Sequence, residues 1–138
     1  MKEQLITFET AKIAKEKGFN IKTRKCFSER KEHTLFNSRK NEDTIFEFIP
    51  ARSMSTNYLD ENEVLIAYRP TQSLLQKWLR EEHSLHMEIF LSDNSPYTGY
   101  YYRVMTIGQY FTTSHDGILS DKFEYALEKG LQEALKII

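Results

Sequence analysis

The last sixteen residues, FEYALEKGLQEALKII, constrain the fold more than any other stretch. Phe123, Ala126, Leu127, Leu131, Ala134, Leu135 and Ile138 recur at spacings of three and four, which puts them on one face of a helix. Gly130 falls on that same face. A glycine inside a helix costs about 1 kcal/mol relative to alanine. Its place on the apolar side therefore points to a close approach by a sheet or a second helix. Asp121 followed by Glu124 reads as a capping box, with aspartate in the capping role.

A second helix is marked by RPTQSLLQKWLREEH. Pro70 and Thr71 are start signals with Thr71 as N-cap, and Leu74, Leu75, Trp78 and Leu79 form the apolar stripe. The Thr-Gln-Ser opening and the following Lys77 and Arg80 are also compatible with a DNA-reading helix. Two features favour packing instead. The residues ahead of it, Val64–Tyr68, read as a strand, and its last turn carries Glu81 and Glu82, which would repel a phosphate backbone. A third helix starts at Thr7 and ends at Gly18, with Phe19 placed to fold back on the last turn.

Between the helices the apolar period changes to two. Leu85, Met87, Ile89 and Leu91 alternate with His86, Glu88 and Phe90, and YYYRVMTI returns after the turn-rich NSPYTG, so this pair reads as a hairpin. EVLIAYRP reads as a buried strand from its continuous apolar run, and TIFEFIP as a strand ended by Pro50. Ile21, Thr23 and Lys25 suggest a short edge strand, with Thr34–Phe36 as its partner. Residues 51–62 are polar and aperiodic and read as a mobile loop. The expectation is one α+β domain over residues 1–138. It has an antiparallel or mixed sheet of about four to six strands and three helices packed mainly on one face.

Composition narrows the functional classes. Nine Phe, eight Tyr and one Trp belong to a folded chain rather than a disordered one. The net charge of −1 supplies no global field for nucleic acid or membrane, although residues 1–50 carry +3 and residues 51–138 carry −4. The single cysteine, Cys26, excludes an intramolecular disulfide. No window has the run of about 20 apolar residues needed for a spanning helix, and the N-terminus lacks a signal-peptide core. These features predict a cytoplasmic protein with no membrane association.

Chemistry-bearing motifs are sparse. His83, His86 and Glu88 are the residue types that hold zinc or iron, but no second pair with ligand spacing accompanies them. A helix-end histidine and a solvated strand face account for the same residues. No nucleophile elbow or phosphate-cradling loop occurs, so no catalytic or cofactor-binding residues are assigned. In the basic segment Lys22–Lys40, Lys22, Arg24, Lys25, Arg30, Lys31, Arg39 and Lys40 interleave with Phe27 and Phe36, the pattern of a single-strand nucleic-acid surface, which charged edge strands also show. Tyr100 and Tyr102 are candidates for an aromatic platform, with cross-strand pairing as the alternative.

PTQSLLQKWLREEHSLHMEIF, LITFETAKIAKEKGFN and FEYALEKGLQEALKII together resemble a group of small proteins encoded by phages, prophages and mobile elements of gut bacteria. Residues 20–62 lie outside the resemblance. It implies a phage-related setting in a bacterial host cytoplasm and carries no catalytic residues to transfer. The combined expectation is a non-enzymatic binding or adaptor protein without cofactors. Its partner would be a protein or a second copy of the chain. The alternatives are a nucleic-acid-binding protein using the basic segment, and a hydrolase or metal-binding protein.

Overall fold

The computed structural model describes residues 3–33, 46–48, 52–94, 97–108, 112–114 and 118–138. In chain order the elements are α1 (Phe8–Glu16), β1 (Lys25–His33), β2 (Phe46–Phe48), β3 (Arg52–Ser55), a 3-10 turn at Thr56–Tyr58, β4 (Glu63–Tyr68), α2 (Gln72–His83), β5 (Leu85–Asn94), β6 (Tyr97–Thr106), β7 (Thr112–Ser114) and α3 (Phe123–Ile137). The class is α+β with three helices, as the periodicities imply. The described strands are all antiparallel and divide between two sheets. The chain forms two compact units, one of Met1–Phe19 with Pro70–Ile138 and one of Asn20–Arg69.

In the first unit β5 and β6 form the hairpin, in register from Leu85 opposite Thr106 to Asn94 opposite Tyr97, and β7 pairs with the other edge of β6. Helix α3 lies on β5 and β6, α2 packs on β5 and α3, and α1 packs on α3. The residues ahead of α1 are stitched to the entry of α2. Ile6 N–H donates to Pro70 O at 3.1 Å, Gln72 N–H donates to Gln4 O at 2.8 Å, and Leu5 bridges Thr71. These bonds join chain segments separated by the whole second unit.

The helix ends follow the sequence signals in two of three cases. Thr7 Oγ1 accepts from Thr10 N–H, and Thr71 Oγ1 accepts from Leu74 N–H at 3.2 Å. At the end of α1, Gly18 takes φ 98°, Phe19 N–H reaches Ala14 O at 2.9 Å and Gly18 N–H reaches Lys15 O at 3.1 Å. This Schellman closure turns Phe19 inward, where it is buried and meets Trp78 of α2 edge to face at 5.3 Å. The expected capping box of α3 does not form. Lys122 occupies the cap position without a side-chain bond, and Asp121 lies one residue outside it. Pairing of Ser120 with Tyr100 sets that register: Tyr100 N–H donates to Ser120 O at 2.6 Å, and Ser120 Oγ accepts from Lys122 N–H at 3.0 Å.

The middle of the α3 stripe is buried as expected, through Ala126, Leu127, Leu131, Ala134 and Leu135, whereas its ends, Phe123 and Ile138, are exposed. Gly130 is where the helix comes closest to the sheet. A Cβ built there would lie 2.9 Å from both Met87 Sδ and Tyr102 Cβ. The thioether can move, but Tyr102 Cβ is tied to the strand backbone. Leu85 and Met87 are buried on this face, whereas Leu91, in the same alternation, is 65% exposed.

In the second unit β1 is the central strand. It pairs with β2 through Lys31–His33, with β3 through Lys25–Ser28 and with β4 through Cys26–Arg30. The edge strand expected near Ile21 begins only at Lys25, and its expected partner at Thr34–Phe36 lies outside the described residues. The polar stretch read as a loop supplies β3 and the 3-10 turn. Backbone pairing with Lys25–Ser28, which hydropathy does not report, decides this. Strand β4, read as buried, keeps Val64 exposed and buries only Ala67, since no α-helix among the described residues of this unit covers the sheet. Glu63 is almost fully buried and accepts from Arg52 Nη2 at 3.1 Å and Ser28 Oγ at 2.9 Å. Nearby Cys26 is a buried free thiol. Burial pushes its pKa up, a hydrogen bond with Thr56 opposes that shift, and the Glu63 charge adds to it.

Gly130→Ala tests the close approach. Helix propensity alone favours alanine by about 1 kcal/mol, but overpacking costs about 1–3 kcal/mol. We expect a net loss of stability in urea denaturation. A stabilised variant would mean that α3 does not lie against Tyr102.

Candidate site at the junction of α1 and α3

Glu128 sits on α3 one position beyond Leu127, at the margin of the apolar stripe, and is buried. Its carboxylate faces the start of α1. Oε2 accepts from Thr7 N–H at 3.0 Å, from Thr7 Oγ1 at 2.9 Å and from Thr10 Oγ1. Oε1 accepts from Gln72 Nε2 at 3.1 Å, and the same amide also donates to Glu124 O at 3.0 Å. Gln132, one turn further along α3, donates from Nε2 to Thr10 Oγ1 at 3.0 Å. Each threonine hydroxyl thus donates to Glu128 and accepts from another group, so one hydrogen serves one bond.

The arrangement is a capping box completed from another helix. In a local box the third helical residue reaches back to the N–H of the cap. Here Glu128, 121 positions away, takes the Thr7 N–H. A carboxylate at a helix N-terminus is also favoured by the helix dipole. The residues of all three helices meet on it, and no buried side-chain nitrogen or oxygen among the described residues lacks a hydrogen-bond partner.

Above this floor a cleft of about 500 Å³ opens between α1 and α3, within the range of small-molecule sites. It is lined by Thr7, Phe8, Glu9, Lys12, Tyr125, Glu128, Lys129 and Gln132. The two walls match. On α1, Lys12 Nζ lies 5.3 Å from the centre of the Phe8 ring. On α3, Lys129 Nζ lies 5.5 Å from the centre of the Tyr125 ring. Each lysine therefore rests on the aromatic side chain one turn before it, in a cation–π contact. Neither ammonium has a carboxylate within ion-pair distance among the described residues.

The residues singled out from sequence fall elsewhere. His83 packs edge to face on Trp78 at 4.5 Å, while His86 Nε2 lies 3.0 Å from Glu88 Oε1 on β5. The three do not converge, and no group of three metal-ligating side chains occurs among the described residues. Lys22, Arg24 and Lys25 are exposed and Arg30 is half-buried; the Lys31 side chain lies outside the described residues. Tyr102 is buried beneath Gly130, so its ring is core rather than platform, and burial, reinforced by the Glu133 charge, raises its phenol pKa. Tyr100 meets Phe123 edge to face at 5.6 Å. Cross-strand aromatic pairing does occur at Phe90 and Tyr101, stacked at 5.3 Å, with Arg103 4.8 Å from the Phe90 ring centre.

Sequence reasoning placed Thr7 and Thr71 as caps but missed Glu128, Gln132 and the matched lysines. The available signal was a glutamate on the edge of an apolar stripe with an amide four residues on. A solvated helix face shows the same pattern.

Glu128→Gln keeps the size of the side chain but sets an N–H₂ against groups that all donate to the carboxylate, two of them an N–H that cannot accept. The expected cost is about 1–3 kcal/mol in chemical denaturation, as for other unsatisfied buried polar groups. Combined with Thr7→Ala, it should show a coupling of about 0.5–3 kcal/mol in a double-mutant cycle. Simple additivity would show that the two groups do not interact. Comparison of the chain with family models, with curated proteins and with solved structures finds no match.

Proposed function

We propose that the protein is a binding or adaptor protein that acts through association rather than catalysis, and that its partner is another protein or a second copy of itself. The observation that carries this reading is an apolar strip at the end of the hairpin. Leu91 is 65% exposed and stands directly opposite Tyr100, hence on the same face of the hairpin. Tyr100 meets Phe123, which is 43% exposed at the start of α3. The strip continues the helix–sheet core out to solvent, where apolar surface favours association. The resemblance to phage and mobile-element proteins supports a bacterial cytoplasm as the setting.

The double variant Leu91→Ser, Phe123→Ser tests this reading. The wild-type protein should capture a partner from a bacterial lysate, or self-associate in sedimentation velocity, and the variant should do neither. Leu91 is mostly exposed and Phe123 about half buried against Tyr100, so the variant should stay folded with a loss of about 1–2 kcal/mol in unfolding free energy. An identical capture profile and sedimentation coefficient for both proteins would reject the strip as the contact.

A second reading is nucleic-acid binding through the basic segment. Lys22, Arg24 and Lys25 are exposed, and none has a carboxylate within ion-pair distance among the described residues. Fluorescence anisotropy with single-stranded DNA at low salt should then show binding that weakens steeply with salt and disappears when Arg24, Lys25 and Lys31 are changed to Glu. A flat titration at low salt would remove this reading.

A further inference from the structure

We infer that the cleft between α1 and α3 is a binding site for a singly charged carboxylate carried on a planar apolar body. The inference is independent of the protein-binding strip, with which it shares no residue. Three features of the cleft point to that ligand.

The first is charge. Two ammonium groups, Lys12 and Lys129, line one cleft from opposite helices, and neither lies within ion-pair distance of a carboxylate among the described residues. Lysines on a helix surface commonly find an acidic neighbour one turn away, as Lys77 does with Glu81 and Lys136 with Glu133. Lys12 has Glu9 three positions before it and yet rests on Phe8. The ring contacts hold both ammonium groups in the lining of the cleft without a carboxylate partner among the described residues, so they remain available to an anion.

The second is the number of charges the site can take. Glu9 and Glu128 line the same cleft. Glu128 is occupied by four donors, and its charge and that of Glu9 stand against those of the two lysines, so the lining has no surplus of positive charge to draw a phosphate dianion. The Thr7 N–H and hydroxyl, which would otherwise attract a phosphate to the start of α1, are already taken by Glu128.

The third is shape. Phe8 and Tyr125 supply an aromatic wall on each side, and Thr7, Glu128 and Gln132 supply a polar floor that is already hydrogen-bonded. Aromatic walls stack favourably on flat apolar groups, while a satisfied floor provides no strong directional bond. Orientation is therefore left to the lysines, which attract the carboxylate, and to the aromatic side chains, which take the apolar body.

Phenylacetate is a suitable probe, with phenylacetamide as its neutral counterpart and inorganic phosphate as the competing anion. Titration of the full chain, followed by amide chemical shifts, should show phenylacetate perturbing Thr7, Phe8, Tyr125 and Lys129, with a dissociation constant below about 10 mM. Phenylacetamide should bind at least about tenfold more weakly. The double variant Lys12→Met, Lys129→Met should lose phenylacetate binding to a similar degree while keeping its unfolding midpoint. A Leu91→Ser, Phe123→Ser protein should bind phenylacetate normally, which separates this site from the apolar strip. The inference is overturned if phenylacetate leaves those resonances unmoved, if phenylacetamide binds equally well, if phosphate binds the same residues as tightly, or if the lysine variant binds unchanged.

Discussion

The Glu128 carboxylate is the constraint on which the first unit depends. It is buried, and burying a carboxylate without donors would cost several kcal/mol. Thr7, Thr10 and Gln72 supply those donors from the starts of α1 and α2. The cost of burial is offset only when all three helices are in place. A nine-residue helix such as α1 is too short to be stable alone in water, so its structure depends on this contact and on the packing of Ala11 and Ala14. The same interaction builds the floor of the α1–α3 cleft. Stability and the candidate site therefore rest on one side chain.

The lower side of α3 obeys a steric constraint instead. Gly130 lets the helix settle onto Tyr102 and Met87, a contact that no larger residue permits without displacement of the strand. Phe19, turned inward by the Gly18 closure, meets Trp78. Two glycines thus serve different ends, one by its backbone freedom and the other by its lack of a side chain. Electrostatics fixes α3 from above and close packing fixes it from below, and the orientation of Tyr125 and Lys129 toward the cleft follows.

Sequence signals were most informative where the physics is local. The Gly18 stop and the Thr7 and Thr71 caps depend on neighbours within a few residues and appear as read, and the alternation of β5 holds at Leu85 and Met87. The capping box at Asp121 failed because Ser120 is held by Tyr100, twenty positions away. β3 was hidden because Arg52–Ser55 owes its extended form to pairing with β1 rather than to its own composition. Tyr102 was read as a candidate surface residue because a tyrosine-rich strand has the same sequence whether its rings face a helix or solvent.

The sequence by itself determined the α+β class, the three helices, the hairpin and the need for close contact at Gly130, because periodicity and chain-end chemistry report local geometry directly. Only the tertiary structure decided which polar residues act together. Thr7, Thr10, Gln72, Glu128 and Gln132 come from three helices spread over nearly the whole chain. The matched pairs Phe8–Lys12 and Tyr125–Lys129 become the walls of one cleft only when α1 packs on α3. A hydrogen bond or a charge acts over a few ångströms of space, and nothing in the order of residues along a chain records which distant positions will be brought that close.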